Sequence, residues 1–73
     1  MTIQKLERVM WRLRKRINPH EYCTPIELEV CIMYECGTDP RTIRHTKRAL
    51  IKLEWLKIGI NGDFTLTNRD LNS

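Results

Sequence analysis

Metal and redox chemistry have little to work with in this chain. Three cysteines, Cys23, Cys31 and Cys36, form an odd set without a C-x-x-C pair, and two histidines, His20 and His45, supply no metal-ligand spacing. No metal site and no cofactor are expected. No apolar run approaches membrane-spanning length, and the opening Thr2-Ile3-Gln4-Lys5-Leu6-Glu7-Arg8 is broken by charge every few residues. A membrane segment and a secretory leader are therefore not expected, and the sequence reads as reduced and cytoplasmic. Repeats, low-complexity tracts and linkers are also missing. Glu21, Glu27, Glu29 and Glu35 could suggest paired carboxylates, but Glu27 and Glu29 diverge by about 160° around a helix, and no nucleophile accompanies them. No catalytic residue, no enzyme and no small-molecule ligand are indicated.

What is present is charge, arranged in blocks. The 73 residues carry a net +4, enough chain for one domain only, with a thin folding margin. Residues 1–20 hold six Lys/Arg against Glu7 alone, net +5; residues 21–39 hold five acids and no base, net −5. Residues 40–57 hold six bases against Glu54, again net +5. An overall positive charge favours an anionic partner, and the block pattern says which segments would meet it.

In the first block Ile3, Leu6, Met10, Leu13 and Ile17 recur at helical spacing with Val9 beside them, predicting an amphipathic helix that ends at Asn18-Pro19. Lys5, Arg8, Arg12, Lys15 and Arg16 fall on its opposite side and Arg14 at the margin. A short loop follows from Pro19 to Cys23. Thr24-Pro25-Ile26-Glu27 then reads as a capping box with proline at N1, opening a second helix that closes at Gly37. Because Val30 to Tyr34 is continuously apolar, this helix is expected to be the most buried, with Cys31 and Cys36 as small core residues. Asp39 can cap a third helix with Pro40 at N1, separated from the second by a very short turn. Its apolar arc is Ile43, Thr46, Ala49, Leu50 and Leu53; Arg41, Arg44, His45, Arg48, Ile51 and Lys52 face away. The spacing predicts a basic helix from Pro40 to Leu56.

Beyond it the period changes to two. Leu56, Ile58 and Ile60 alternate with Lys57 and Gly59, and Asn61-Gly62-Asp63 turns the chain into Phe64-Thr65-Leu66-Thr67. A three-residue loop, Asn61 to Asp63, would pair Ile60 with Phe64 and Ile58 with Leu66 and put all four on one buried face, which a two-residue Asn-Gly loop would not. Residues 1–67 thus make the domain, and 68–73, without any period, read as a flexible tail.

Helix, helix, tight turn, basic helix, hairpin is the order of a small α+β winged helix-turn-helix domain. The run from Thr38 to Leu56, with its capped start, its apolar Ile43, the Ala49-Leu50 pair and a Leu before the hairpin, resembles the recognition helix of the winged helix-turn-helix superfamily. Where that superfamily commonly places a glycine at the helix exit, this chain has Glu54-Trp55. The resemblance implies double-stranded DNA as partner and a role as a small microbial, viral or plasmid transcriptional regulator. In such a helix the N-terminal residues approach base edges in the major groove and later ones approach phosphates. The DNA-reading part of this helix is expected at about residues 40–54. Arg41, Thr42, Arg44 and His45 are the candidates for base contact, and Arg48, Lys52 and Lys57 for phosphate contact.

Other readings stand beside this one. The acidic second helix suggests a protein-interaction module on the same fold without DNA binding. RNA is disfavoured because the candidate stacking aromatics are limited to Trp11, Tyr22 and Trp55. The heptad spacing of the first helix permits a homodimer through Met10, Trp11 and Leu13, in which Trp11 at the rim is either an anchor or a cover for the core margin.

Overall fold

In a computed structural model, which describes residues 2–71, the second and third helices start at their sequence signals and the first starts with its apolar stripe. Helix α1 (Ile3–Ile17) is capped by the Thr2 hydroxyl, which accepts from the Lys5 N–H at 3.4 Å. Asn18 leaves the helical region with ψ 132° while its own N–H still donates to the Arg14 carbonyl. Helix α2 (Pro25–Cys36) begins with both halves of the capping box: the Glu27 N–H donates to Thr24 Oγ1 at 3.2 Å, and the Thr24 N–H donates to Glu27 Oε1 at 3.1 Å. Gly37, at φ 102°, ends it in a conformation a side chain would strain. After Thr38, Asp39 accepts from the Arg41 N–H at 2.9 Å and opens helix α3 (Pro40–Lys52).

The third helix is shorter than its sequence pattern suggests. It stops at Lys52 instead of Leu56; Leu53 caps it and Glu54 adopts φ 60°, the left-handed conformation that a glycine would take without strain. The cause lies one residue on. Were the helix continued, Trp55 would project onto the basic outward arc, about 320° round from Arg41. The reversal at Glu54 instead carries the indole into the core, where it is only 4% exposed, and delivers the buried Leu56 to the sheet.

Three short strands, β1 (Tyr22–Cys23), β2 (Leu56–Ile58) and β3 (Phe64–Leu66), form an antiparallel sheet in the order β1-β3-β2. Two expectations are corrected here. Residues 22 and 23, assigned by sequence to a loop, pair with Thr65 and Phe64 and shield the edge of the hairpin. The hairpin register differs by two residues: Ile58 opposes Phe64 and Leu56 opposes Leu66, so the loop runs from Gly59 to Asp63. The Gly59 N–H donates to the Asp63 carbonyl at 2.6 Å, an approach so close that a Cβ on Gly59 would lie 3.0 Å from that oxygen. Because the slip is an even number, the apolar face is kept, but Ile60 stands fully in solvent at the tip and Ile58 is mostly exposed.

The core lies where α1, α2, α3 and the sheet meet: Leu6, Val9, Met10, Leu13 and Ile17 from α1, Leu28, Cys31 and Ile32 from α2, Leu50 from α3, and Cys23, Trp55, Leu56, Phe64 and Leu66. Thr46 is the buried polar member, and its hydroxyl donates to the Thr42 carbonyl at 2.7 Å. Met10 and Leu13 are 0% exposed, so they belong to the core and cannot line a dimer contact; of the three residues named for that role only Trp11 is on the surface. Helix α2 buries Leu28, Cys31 and Ile32, but Ile26, Met33 and Tyr34 face solvent, so its apolar run is not buried throughout. Over residues 69–71 the aperiodic C-terminal stretch forms a 3-10 turn. Arg14 donates to Asp70 and, at 3.3 Å, to Asn68, fastening this turn to α1; Asn72 and Ser73 lie outside the described residues. The whole is an α+β domain with a winged-helix-like layout. No described helix is long and apolar enough to cross a membrane.

Candidate nucleic-acid interface

Helix α3 owes its orientation to a short list of contacts. Leu50 and Thr46 are fully buried, Ile43, Ala49 and Ile51 pack against the core, and only Gly37, Thr38 and Asp39 separate it from α2. With that side committed, the opposite side is fixed by helical geometry. Arg41, Arg44, His45, Arg48 and Lys52 fall within about 100° of arc and extend over about 16 Å of helix. All five are exposed. Thr42 sits outside this arc, half-buried, with its carbonyl holding the Thr46 hydroxyl. Lys57 is exposed on β2, opposite Thr65 and on the face of the sheet away from Leu56.

The charge distribution across the fold is uneven in a telling way. The acids of α2 are used internally: Glu29 Oε1 accepts from Lys47 Nζ at 2.8 Å, Glu35 Oε1 accepts from Arg12 at 3.0 and 3.1 Å, and Glu27 serves the cap. Asp70 takes Arg14, and Glu54 takes Arg69. By contrast Arg41, Arg44, Arg48, Lys52 and Lys57 make no ion pair with any described residue. Sequence reasoning could not assign these partners, because Lys47 reaches 18 positions back along the chain and Arg12 reaches 23 positions forward.

Comparison with protein families, with curated proteins and with solved structures finds no match. The chemistry of the surface must therefore speak for itself. Arg41 and Arg44 are three apart, Arg44 and Arg48 four apart, Arg48 and Lys52 four apart; each such like-charged neighbour pair destabilises a helix by about 0.2–0.5 kcal/mol. The helix N-terminus adds its own partial positive charge at Pro40. A column of guanidinium groups beside a helix start can hydrogen-bond phosphate oxygens or the paired acceptors of a guanine edge. Among the described residues no group of three or more His, Cys, Asp or Glu could hold a metal ion.

The thiols have a different character. Burial, then the nearby Glu27 carboxylate and Cys31, push the Cys23 thiol up to about 12, and burial also raises Cys31. Both therefore stay protonated at neutral pH and act as packing residues.

Proposed function

We propose that this protein binds double-stranded DNA in a sequence-specific manner, laying α3 in the major groove as a small transcriptional regulator of the winged helix-turn-helix type, from a microbe, virus or plasmid. The observation that carries the reading is the uncompensated column Arg41, Arg44, Arg48 and Lys52, beside which the acids of α2 pair with Lys47 and Arg12 and not with the column. Repulsion along such a column weakens the helix unless an anion lies against it.

In this reading the first two turns face base edges. Arg41 and Arg44 can each donate two bonds to guanine O6 and N7, about 1–3 kcal/mol of discrimination apiece, while His45 reaches a neighbouring position and the half-buried Thr42 is set back from the groove. Arg48, Lys52 and Lys57 hold phosphates and set the register. The internal pairing of Glu29 and Glu35 removes the repulsion that a free acidic α2 would exert on the DNA backbone, and it favours this reading over a protein-docking role for that helix.

The test is a binding titration on duplexes selected from a random pool, repeated across salt concentrations. Affinity is expected to fall steeply with salt, with a log–log slope of about −0.9 for each phosphate neutralised. Joint replacement Arg44→Ala with Arg48→Ala is expected to abolish specific binding, and Lys52→Ala to flatten the slope with little change in sequence preference. Unchanged affinity in the double variant would sink the assignment.

A further inference from the structure

The α1–α2 side of the molecule carries a second basic surface, and this one contains aromatic rings. Trp11 is 58% exposed and Tyr34 70% exposed, on a domain whose other tryptophan is packed in the core. Between them opens a cleft of about 280 Å³ lined by Trp11, Arg12, Lys15, Arg16, Cys31 and Tyr34. Lys15 Nζ lies 4.1 Å from the centre of the Trp11 ring, and the Arg12 guanidinium stands 4.9 Å over the Tyr34 ring, held there by Glu35. Arg8 borders Trp11 on the side away from this cleft, in a second depression. Lys5, Arg8, Arg12, Lys15 and Arg16 share about 100° of the α1 surface, and of these only Arg12 is ion-paired among the described residues.

We infer that this cleft is a second nucleic-acid site, separate from α3, that takes a single strand. Exposed rings interleaved with cations suit a ligand that is itself planar rings on an anionic backbone: unpaired bases stack on Trp11 and Tyr34 while phosphates meet Lys15 and Arg16. A duplex offers no free base face to the two rings. A second copy of the chain is a poor occupant, because a two-fold contact would set the same cations against themselves. The sequence pattern missed the site because Tyr34 sits in an apolar run that reads as core, whereas the fold turns it outward.

The experiment measures binding of labelled oligothymidylate and oligouridylate by anisotropy, beside a duplex control. Trp11→Ala and Tyr34→Ala are each expected to weaken oligomer binding about 5- to 150-fold while leaving duplex binding unchanged; both side chains are exposed, and circular dichroism checks that the variants fold. Arg44→Ala with Arg48→Ala is expected to leave oligomer binding intact, so this site and the α3 reading fail independently. Unchanged oligomer affinity in both aromatic variants overturns the inference. So does equal affinity for polyglutamate of matching charge, or a concentration-dependent dimer that Trp11→Ala dissolves.

Discussion

Single residues in this protein hold positions that their chemical type does not predict, and Glu54 is the clearest. Its backbone takes φ 60°, a conformation that costs a non-glycine residue about 1–2 kcal/mol, because the chain must reverse between Lys52 and Leu56 so that Trp55 points inward. The carboxylate gives a little back through its surface pair with Arg69, a contact of small worth at such exposure. Glu54→Gly is therefore expected to be neutral or to stabilise by up to about 1 kcal/mol. Glu54→Val is expected to destabilise by about 1–2 kcal/mol, since a β-branched side chain is worse placed at positive φ. Urea unfolding of the two variants beside the parent decides it; a valine variant as stable as the glycine variant would show that the turn is not strained.

At the scale of elements, chemistry between near neighbours was legible and pairing across the chain was not. Thr24-Pro25-Ile26-Glu27 and Asp39-Pro40 announce their helices because capping is a local bond, completed within three residues. Thr24→Ala removes the hydroxyl that accepts from the Glu27 N–H and is expected to cost about 1 kcal/mol, read as a lower urea midpoint with an unchanged slope. Strand β1 was hidden because two residues show no period and gain their place only from Thr65 and Phe64, more than 40 positions away. The hairpin register was misjudged because Ile60 is apolar and looks like a paired strand residue, while the close Gly59–Asp63 bond shuts the loop before it. Likewise the basic arc of α3 follows from spacing alone. The internal neutralisation of α2, on which the isolation of that arc depends, needs tertiary structure.

For the whole molecule, the buried thiols set a limit on alkaline stability. The Cys23 thiol is held at about 12 in the fold, well above the value of a free thiol near 8.5. Up to about pH 8 both states keep the proton and the full stability is present. As pH rises toward 12 the unfolded chain loses a proton that the folded chain retains, so the unfolded state gains and stability falls, by up to about 1.4 kcal/mol per pH unit for this one group. Thermal unfolding followed from pH 8 to 11 is expected to show this decline, with a shallower one in Cys23→Ala. Equal slopes for the two proteins would mean that Cys23 is not the group responsible.

Arg41, Arg44, His45, Arg48 and Lys52 stand on a helix held from its other side, and none of their side chains makes an ion pair or hydrogen bond with a described residue. Folding and surface identity are thus written in different letters of the same thirteen-residue helix. The inward letters, Thr46 and Leu50 foremost, hold the core, while the outward five are exposed and take no part in it. Substitution there would exchange one surface for another on an unaltered frame, which makes α3 a natural place for divergence between copies of this domain and a practical one for redesign.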